Sequence, residues 1–168
     1  MKNDNLISTH SDQKIHRKLR REITASASAT RALGEQLAQQ LAPGDLVTLQ
    51  GELGAGKTTL VQGIARGLGI KETATSPTFV LILEHMGNIP LLHLDAYRLE
   101  NRGGEPICYD ALRDAGVLDL LAREDAVKIV EWPERISDVL PVARFEIRIS
   151  EGATEDERII EISESTAT

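Results

Sequence analysis

The segment Gly51-Glu52-Leu53-Gly54-Ala55-Gly56-Lys57-Thr58 fits the pattern GxxxxGK[ST] at every fixed position, and its surroundings constrain the fold more than any other stretch does. Before it, Asp45 to Gln50 is rich in Leu and Val with little alternation, the pattern of a strand buried on both faces. After it, Leu60, Val61, Ile64 and Leu68 share one stripe of a helix predicted over Lys57 to Leu68, with Gly69 placed to end it. A strand, a glycine-rich turn and a helix in that order are the context of a phosphate-binding loop. The glycines let successive backbone N–H groups turn towards phosphate oxygens, and the helix adds unsatisfied donors and the positive end of its dipole. The expected ligand is a nucleoside triphosphate, with Lys57 on the β and γ phosphates and the Thr58 hydroxyl on Mg²⁺. The nucleotide-binding run is Glu52, Leu53, Gly54, Ala55, Gly56, Lys57, Thr58 and Thr59, where Thr59 is a first-turn helix residue rather than a ligand of the ion. A ligand-free turn would require the Lys-Thr pair and both flanking elements to coincide by chance. The chain has no Asn-Lys-x-Asp segment of the kind that reads guanine, which favours ATP.

At 168 residues the chain is the size of one domain, large enough to bury about 70% of its unfolded surface. An apolar content of 41% with 27% charged residues excludes disorder throughout, and 3% aromatic residues leave few platforms for stacking bases. The net charge of −7 argues against a dedicated nucleic-acid binder, so any nucleic acid served is expected to be held by partners. The lone cysteine, Cys108, excludes an internal disulfide and a cysteine-cluster metal site, and is read as a small, semi-buried side chain in a reducing cytoplasm. Met1 to Gln13 lacks the apolar core of a signal peptide, and no run is long enough for a membrane helix, so a soluble cytoplasmic protein is expected.

The pattern predicts a single α/β domain over 17–163, flanked by a disordered extension at 1–16 and a flexible tail at 164–168. Lys14 to Arg21, with five Lys or Arg in eight positions, reads as a solvated lead-in strand, the alternative being a phosphate contact. A helix is predicted from Ala29 to Leu41 with Ser28 as N-cap, stacking Ala29, Leu33, Leu37 and Leu41. Further strands are expected at Phe79 to Leu83, Leu91 to Leu94 and Val127 to Val130, and a helix at Asp110 to Ala122. Ala143, Phe145, Ile147 and Ile149 alternate with polar residues, giving a strand with one wet face that Arg158 to Ile162 returns against. The sheet is therefore expected to be mixed, mainly parallel at its centre, flanked by helices and antiparallel at its C-terminal edge.

Two carboxylates stand at the ends of apolar runs, where open α/β sheets place their ligands. Asp95 is positioned to hold Mg²⁺ directly or through water, in the Walker B role, or else to cap a strand end. Glu131 is positioned to orient or activate an attacking water, and with Thr58 and Asp95 it completes the candidate metal set. His93 shares the strand face of Asp95 and is expected to be a hydrogen-bonded packing residue behind the site rather than a ligand. Ser76 and Thr78 lie in a polar loop stiffened by Pro77, either a switch that brings a hydroxyl to the ion or the γ phosphate, or a simple turn. Trp132, the only Trp, is either an ordinary packing residue or, beside Glu131, one that packs near the nucleotide or forms part of a partner surface. Arg98 is either a charge stabiliser or a salt-bridge residue.

The phosphate loop together with Ser76-Pro77-Thr78-Phe79, His93-Leu94-Asp95-Ala96-Tyr97-Arg98 and Val130-Glu131-Trp132-Pro133-Glu134, in this order and spacing, resembles the bacterial TsaE (YjeE) family over roughly Ile23 to Ile149. The resemblance implies a P-loop ATPase needed for threonylcarbamoyladenosine at position 37 of tRNAs reading codons that begin with A. It implies the partners TsaB and TsaD, with tRNA met indirectly through that complex, and hydrolysis that is weak alone. The connection from Leu99 to Ala115 is longer than the family pattern. Two other readings share the same loop: a module in which ATP only controls docking, and a small-molecule kinase, for which no Arg-rich lid is evident.

Overall fold

A computed structural model describes residues 16–71, 81–99 and 107–166. Ser76, Pro77, Thr78 and Phe79, and residues 100–106 of the 99–115 connection, lie outside the described residues, as do both predicted tails in part.

The described residues form a seven-stranded sheet flanked by helices on both faces. In chain order the elements are β1 (His16–Thr24), α1 (Ala27–Ala38), β2 (Leu46–Gln50), α2 (Lys57–Gly67), β3 (Ile82–His85), β4 (Leu91–Asp95), α3 (Tyr109–Asp114), α4 (Val117–Ala122), β5 (Val127–Glu131), β6 (Phe145–Glu151) and β7 (Arg158–Thr166). The spatial order is β1-β7-β6-β2-β5-β4-β3. The central four strands, β6, β2, β5 and β4, are mutually parallel. The expected antiparallel C-terminal edge is formed by β7 and β1, and β3 makes the opposite edge antiparallel as well.

On one face of the sheet, Val47, Leu49, Val127, Ile129, Phe145, Ile147 and Ile160 pack with Leu33 and Leu37 of α1 and Leu60, Val61 and Ile64 of α2. On the other, Leu46, Leu92, Leu94 and Val130 pack with Leu112, Val117 and Leu120 of α3 and α4. Helices α1 and α2 meet closely because two glycines face across them. A Cβ on Gly63 would lie 2.1 Å from the Arg31 carbonyl, and one on Gly34 would lie 2.5 Å from that of Leu60.

Three local expectations change. Helix α1 begins two residues earlier than its periodicity suggests, because Ser26 rather than Ser28 is the N-cap and accepts from the Ala29 N–H at 3.1 Å. Its end comes at Ala38, and Leu41 is buried from the following turn. The helix expected from Asp110 to Ala122 is two short helices, since Gly116 takes a left-handed φ of 76° and caps α4 after α3 has ended. Cys108 is exposed at the start of α3 rather than semi-buried. No helix among the described residues is long and apolar enough to cross a membrane.

Candidate functional site

Because β2, β5 and β4 run parallel side by side, their C-terminal ends open onto one edge of the sheet. From that edge come the loop after Gln50, the Glu131 carboxylate and the Asp95 carboxylate. Asp95 and Glu131 are direct register partners, so their side chains leave the sheet on the same face. Both are buried, at 8% and 3% exposure. Ligands of open α/β sheets bind at this edge.

The loop has the shape its glycines permit. Gly51 sits at φ 151°, where a Cβ would meet the Ile149 carbonyl at 2.5 Å. Gly56 is left-handed at φ 103° and is the N-cap of α2, where it offers no side chain to occupy the first N–H groups of the helix. Those donors and the helix dipole are therefore presented to an incoming anion. Leu53 projects outward, while Ala55 is buried under the loop. Thr58 and Thr59 are half-buried in the first turn of α2.

Lys57 is buried although it is charged, and its ammonium is engaged from two sides. Nζ donates to the carbonyls of Gly51 at 2.7 Å and Glu52 at 2.9 Å, and it lies 4.4 Å from the centroid of the Trp132 ring. Burial pushes this ammonium below the usual lysine range, while the carboxylates of Glu131, Asp95, Glu134 and Glu52 act in the opposite direction. Four acidic groups thus converge on one cation.

Trp132 reaches this position from an uncommon backbone. It has φ 57°, the one left-handed non-glycine among the described residues, and its N–H donates to the Leu49 carbonyl at 3.2 Å. Such strain in a bulky residue persists only where the surroundings hold it, and it gathers at functional sites. The Tyr97 ring packs against Trp132 with centroids 5.0 Å apart, and the Tyr97 N–H donates to Asp95 Oδ1 at 3.0 Å. His93 Nε2 lies 2.8 Å from Glu131 Oε1.

The structure therefore brings together Lys57, Asp95, Glu131 and Trp132 at the mouth of the loop. Ser76 and Thr78 belong to the segment outside the described residues. Two contributors were not singled out from the sequence. Tyr97, within the His93 to Arg98 segment, is placed by a short 3-10 turn after β4. Arg158 opens β7, over a hundred residues from the loop, and donates from Nε to the Ala55 carbonyl at 3.0 Å and from Nη1 to the Glu155 and Glu157 carbonyls at 2.6 and 2.8 Å. Only strand pairing brings it there.

The oxygen donors present suit magnesium, which takes one or two carboxylates and a hydroxyl and leaves its remaining positions to phosphate and water. Thr58 in the first turn of α2 and Asp95 at the end of β4 are residues that could hold such an ion. Among the described residues no three His, Cys, Asp or Glu side chains form a metal cage. An ion brought largely by phosphates needs none.

A parallel sheet with a glycine-rich loop, a lysine at the helix start and paired carboxylates at the neighbouring strand ends defines a P-loop nucleotide-binding protein. The comparisons narrow the class. The family model described as threonylcarbamoyl adenosine biosynthesis protein TsaE matches residues 24–160. The chain is 41% identical to the tRNA threonylcarbamoyladenosine biosynthesis protein TsaE of Bacillus subtilis over 82% of its own length and 80% of the relative's. It is 47% identical to that of Streptomyces coelicolor over 76% and 84%. The crystal structure of Bacillus subtilis YdiB superposes with a TM-score of 0.70 at 34% identity, covering 89% of this chain and 87% of that one. The chain belongs to the TsaE family.

Proposed function

We propose that the chain is the ATP-binding and ATP-hydrolysing subunit of tRNA threonylcarbamoyladenosine synthesis, acting in the cytoplasm with the TsaB–TsaD complex on position 37 of tRNAs that read codons beginning with A. The observation that carries the reading is the convergence of the Lys57 loop, Asp95 and Glu131 at one sheet edge. The names of the relatives supply the pathway. A net charge of −7 agrees with a subunit that leaves tRNA binding to its partners.

Hydrolysis proceeds by in-line attack of water on the γ phosphorus. The bond to the bridging oxygen breaks, and ADP and phosphate leave. The first N–H groups of α2 and the Lys57 ammonium hold the β and γ phosphates and offset the charge that spreads over them. To reach them, Lys57 gives up its bonds to the Gly51 and Glu52 carbonyls. Glu131 accepts a hydrogen bond from the attacking water and sets its direction. Magnesium, when bound by Thr58 and Asp95, neutralises charge on the phosphate oxygens. Trp132 shields this mouth from bulk water. Ser76 and Thr78 are proposed as switch residues that bring a hydroxyl to the ion or to the γ phosphate.

The test is phosphate release from Mg·ATP by the chain alone and with TsaB and TsaD added. Stimulation by the partners, lost in Glu131→Gln with ATP binding retained, supports the ATPase reading. ATP binding with no hydrolysis in either mixture makes the nucleotide a docking switch, and a phosphorylated acceptor in place of free phosphate makes the chain a kinase.

A further inference from the structure

His93 is fully buried in β4, at 0% exposure, between Leu92 and Leu94. One side of its ring is explained by Glu131, 2.8 Å from Nε2. The other side is not: Nδ1 is buried and has no hydrogen-bond partner among the described residues. A buried polar atom left without a partner costs roughly 1 to 3 kcal/mol, so an apolar residue here would spare the core that penalty. A strand that is apolar at Leu91, Leu92 and Leu94 keeps a histidine at this one position.

The geometry gives that side chain one task. An ionised carboxylate only accepts, so in this contact the ring donates from Nε2 to Oε1 of Glu131. His93 and Asp95 are two residues apart on one strand face, and Asp95 is the register partner of Glu131. The donor therefore approaches Glu131 from the core side, one strand position below the mouth of the site. With Oε1 held by His93, rotation of the carboxylate is restrained and Oε2 is left free of this contact.

We infer that His93 is a positioning residue, which holds one oxygen of Glu131 so that the other is aimed at the water attacking the γ phosphate. It touches neither nucleotide nor ion and acts through the orientation of Glu131 alone. The inference rests on the proposed hydrolytic role of Glu131. A side-chain amide at the same position can donate to Oε1 as the ring does, whereas an alkyl side chain of similar volume cannot. The two substitutions are therefore expected to part company in activity while sharing the loss of the ring.

The experiment compares His93→Leu, His93→Gln and Glu131→Gln, each with TsaB and TsaD present. The readouts are kcat for phosphate release, the calorimetric Kd for ADP and the thermal midpoint. His93→Leu is expected to lower kcat by roughly 10-fold or more with the ADP Kd within about twofold of wild type, the range seen when a supporting contact to a functional side chain is lost. His93→Gln is expected to recover a large part of kcat, and its folding keeps the comparison decisive if the leucine variant unfolds. Wild-type kcat in His93→Leu, or kcat and ADP affinity falling together with no recovery in His93→Gln, overturns the inference while leaving the function in place. Full hydrolysis by Glu131→Gln is a different failure, which removes the catalytic reading of Glu131 and the role of His93 with it.

Discussion

The Lys57 ammonium lies over the ring of Trp132, 4.4 Å from its centroid, while both of its hydrogen bonds run to carbonyls of its own loop. The cation is thus held by groups that phosphate must displace. Since Trp132 is the only tryptophan, its emission reports on this site. Saturating Mg·ATP is expected to change the intensity or wavelength of that emission, and Lys57→Met to reproduce part of the change without nucleotide. Calorimetric binding with an unaltered spectrum would show that Lys57 and Trp132 stay together when phosphate arrives.

Replacing Lys57 by alanine removes the charge-assisted bonds to the phosphates, each worth about 1.5 to 3 kcal/mol. Affinity for ATP is expected to fall by roughly 10- to 100-fold. The far-ultraviolet circular dichroism should be unchanged, because the lysine's partners are loop carbonyls and not elements of the core. Calorimetry on the two proteins checks this, and equal affinities would remove the loop as the binding site.

Arg158 ties the start of β7 to the phosphate loop through the Ala55 carbonyl and to its own hairpin through two more. Loss of a single such bond costs about 1 kcal/mol, so Arg158→Ala is expected to weaken ADP binding by about fivefold through a looser loop. Lysine is expected to restore little, because a single ammonium does not reproduce the planar fork that bonds both sides at once. Titration of ADP into the three proteins decides it, and an affinity insensitive to position 158 would make the contact incidental.

The phosphate loop, the parallel strands before and after it, and the positions of Asp95 and Glu131 were legible because each rests on local chemistry. Glycine spacing, an apolar run and the residue that ends it all fall within a few positions. The break at Gly116 was not legible, since apolar periodicity runs through it and only a left-handed φ divides α3 from α4. Nor was the N-cap, because Ser26 and Ser28 are equally good caps and the choice between them follows from where β1 hands the chain over. Arg158 joins the site by tertiary pairing, which no spacing encodes. Lys128 is a sharper case, a charged residue inside the buried strand β5.

Lys128 is tolerated there because its ammonium folds out to the end of α4, donating to the Arg123 carbonyl at 2.6 Å and the Leu121 carbonyl at 3.4 Å. These are carbonyls of the last turn of α4 and its C-cap, which have no partner within the helix. Burial still disfavours the charge and pushes Lys128 below its usual 10.5, with Asp45, Glu124 and Asp125 opposing. Between that lowered value and 10.5 the unfolded chain binds more protons than the folded one, so this residue makes unfolding harder as the pH rises through that window. Below the window both states are protonated and its contribution stops changing. Urea unfolding of wild type and Lys128→Met from about pH 8 to about pH 10.5 should show the wild-type free energy gaining on the variant's. A difference that stays flat, or that shrinks with pH, would mean that the ammonium is as comfortable at the end of α4 as it is in water.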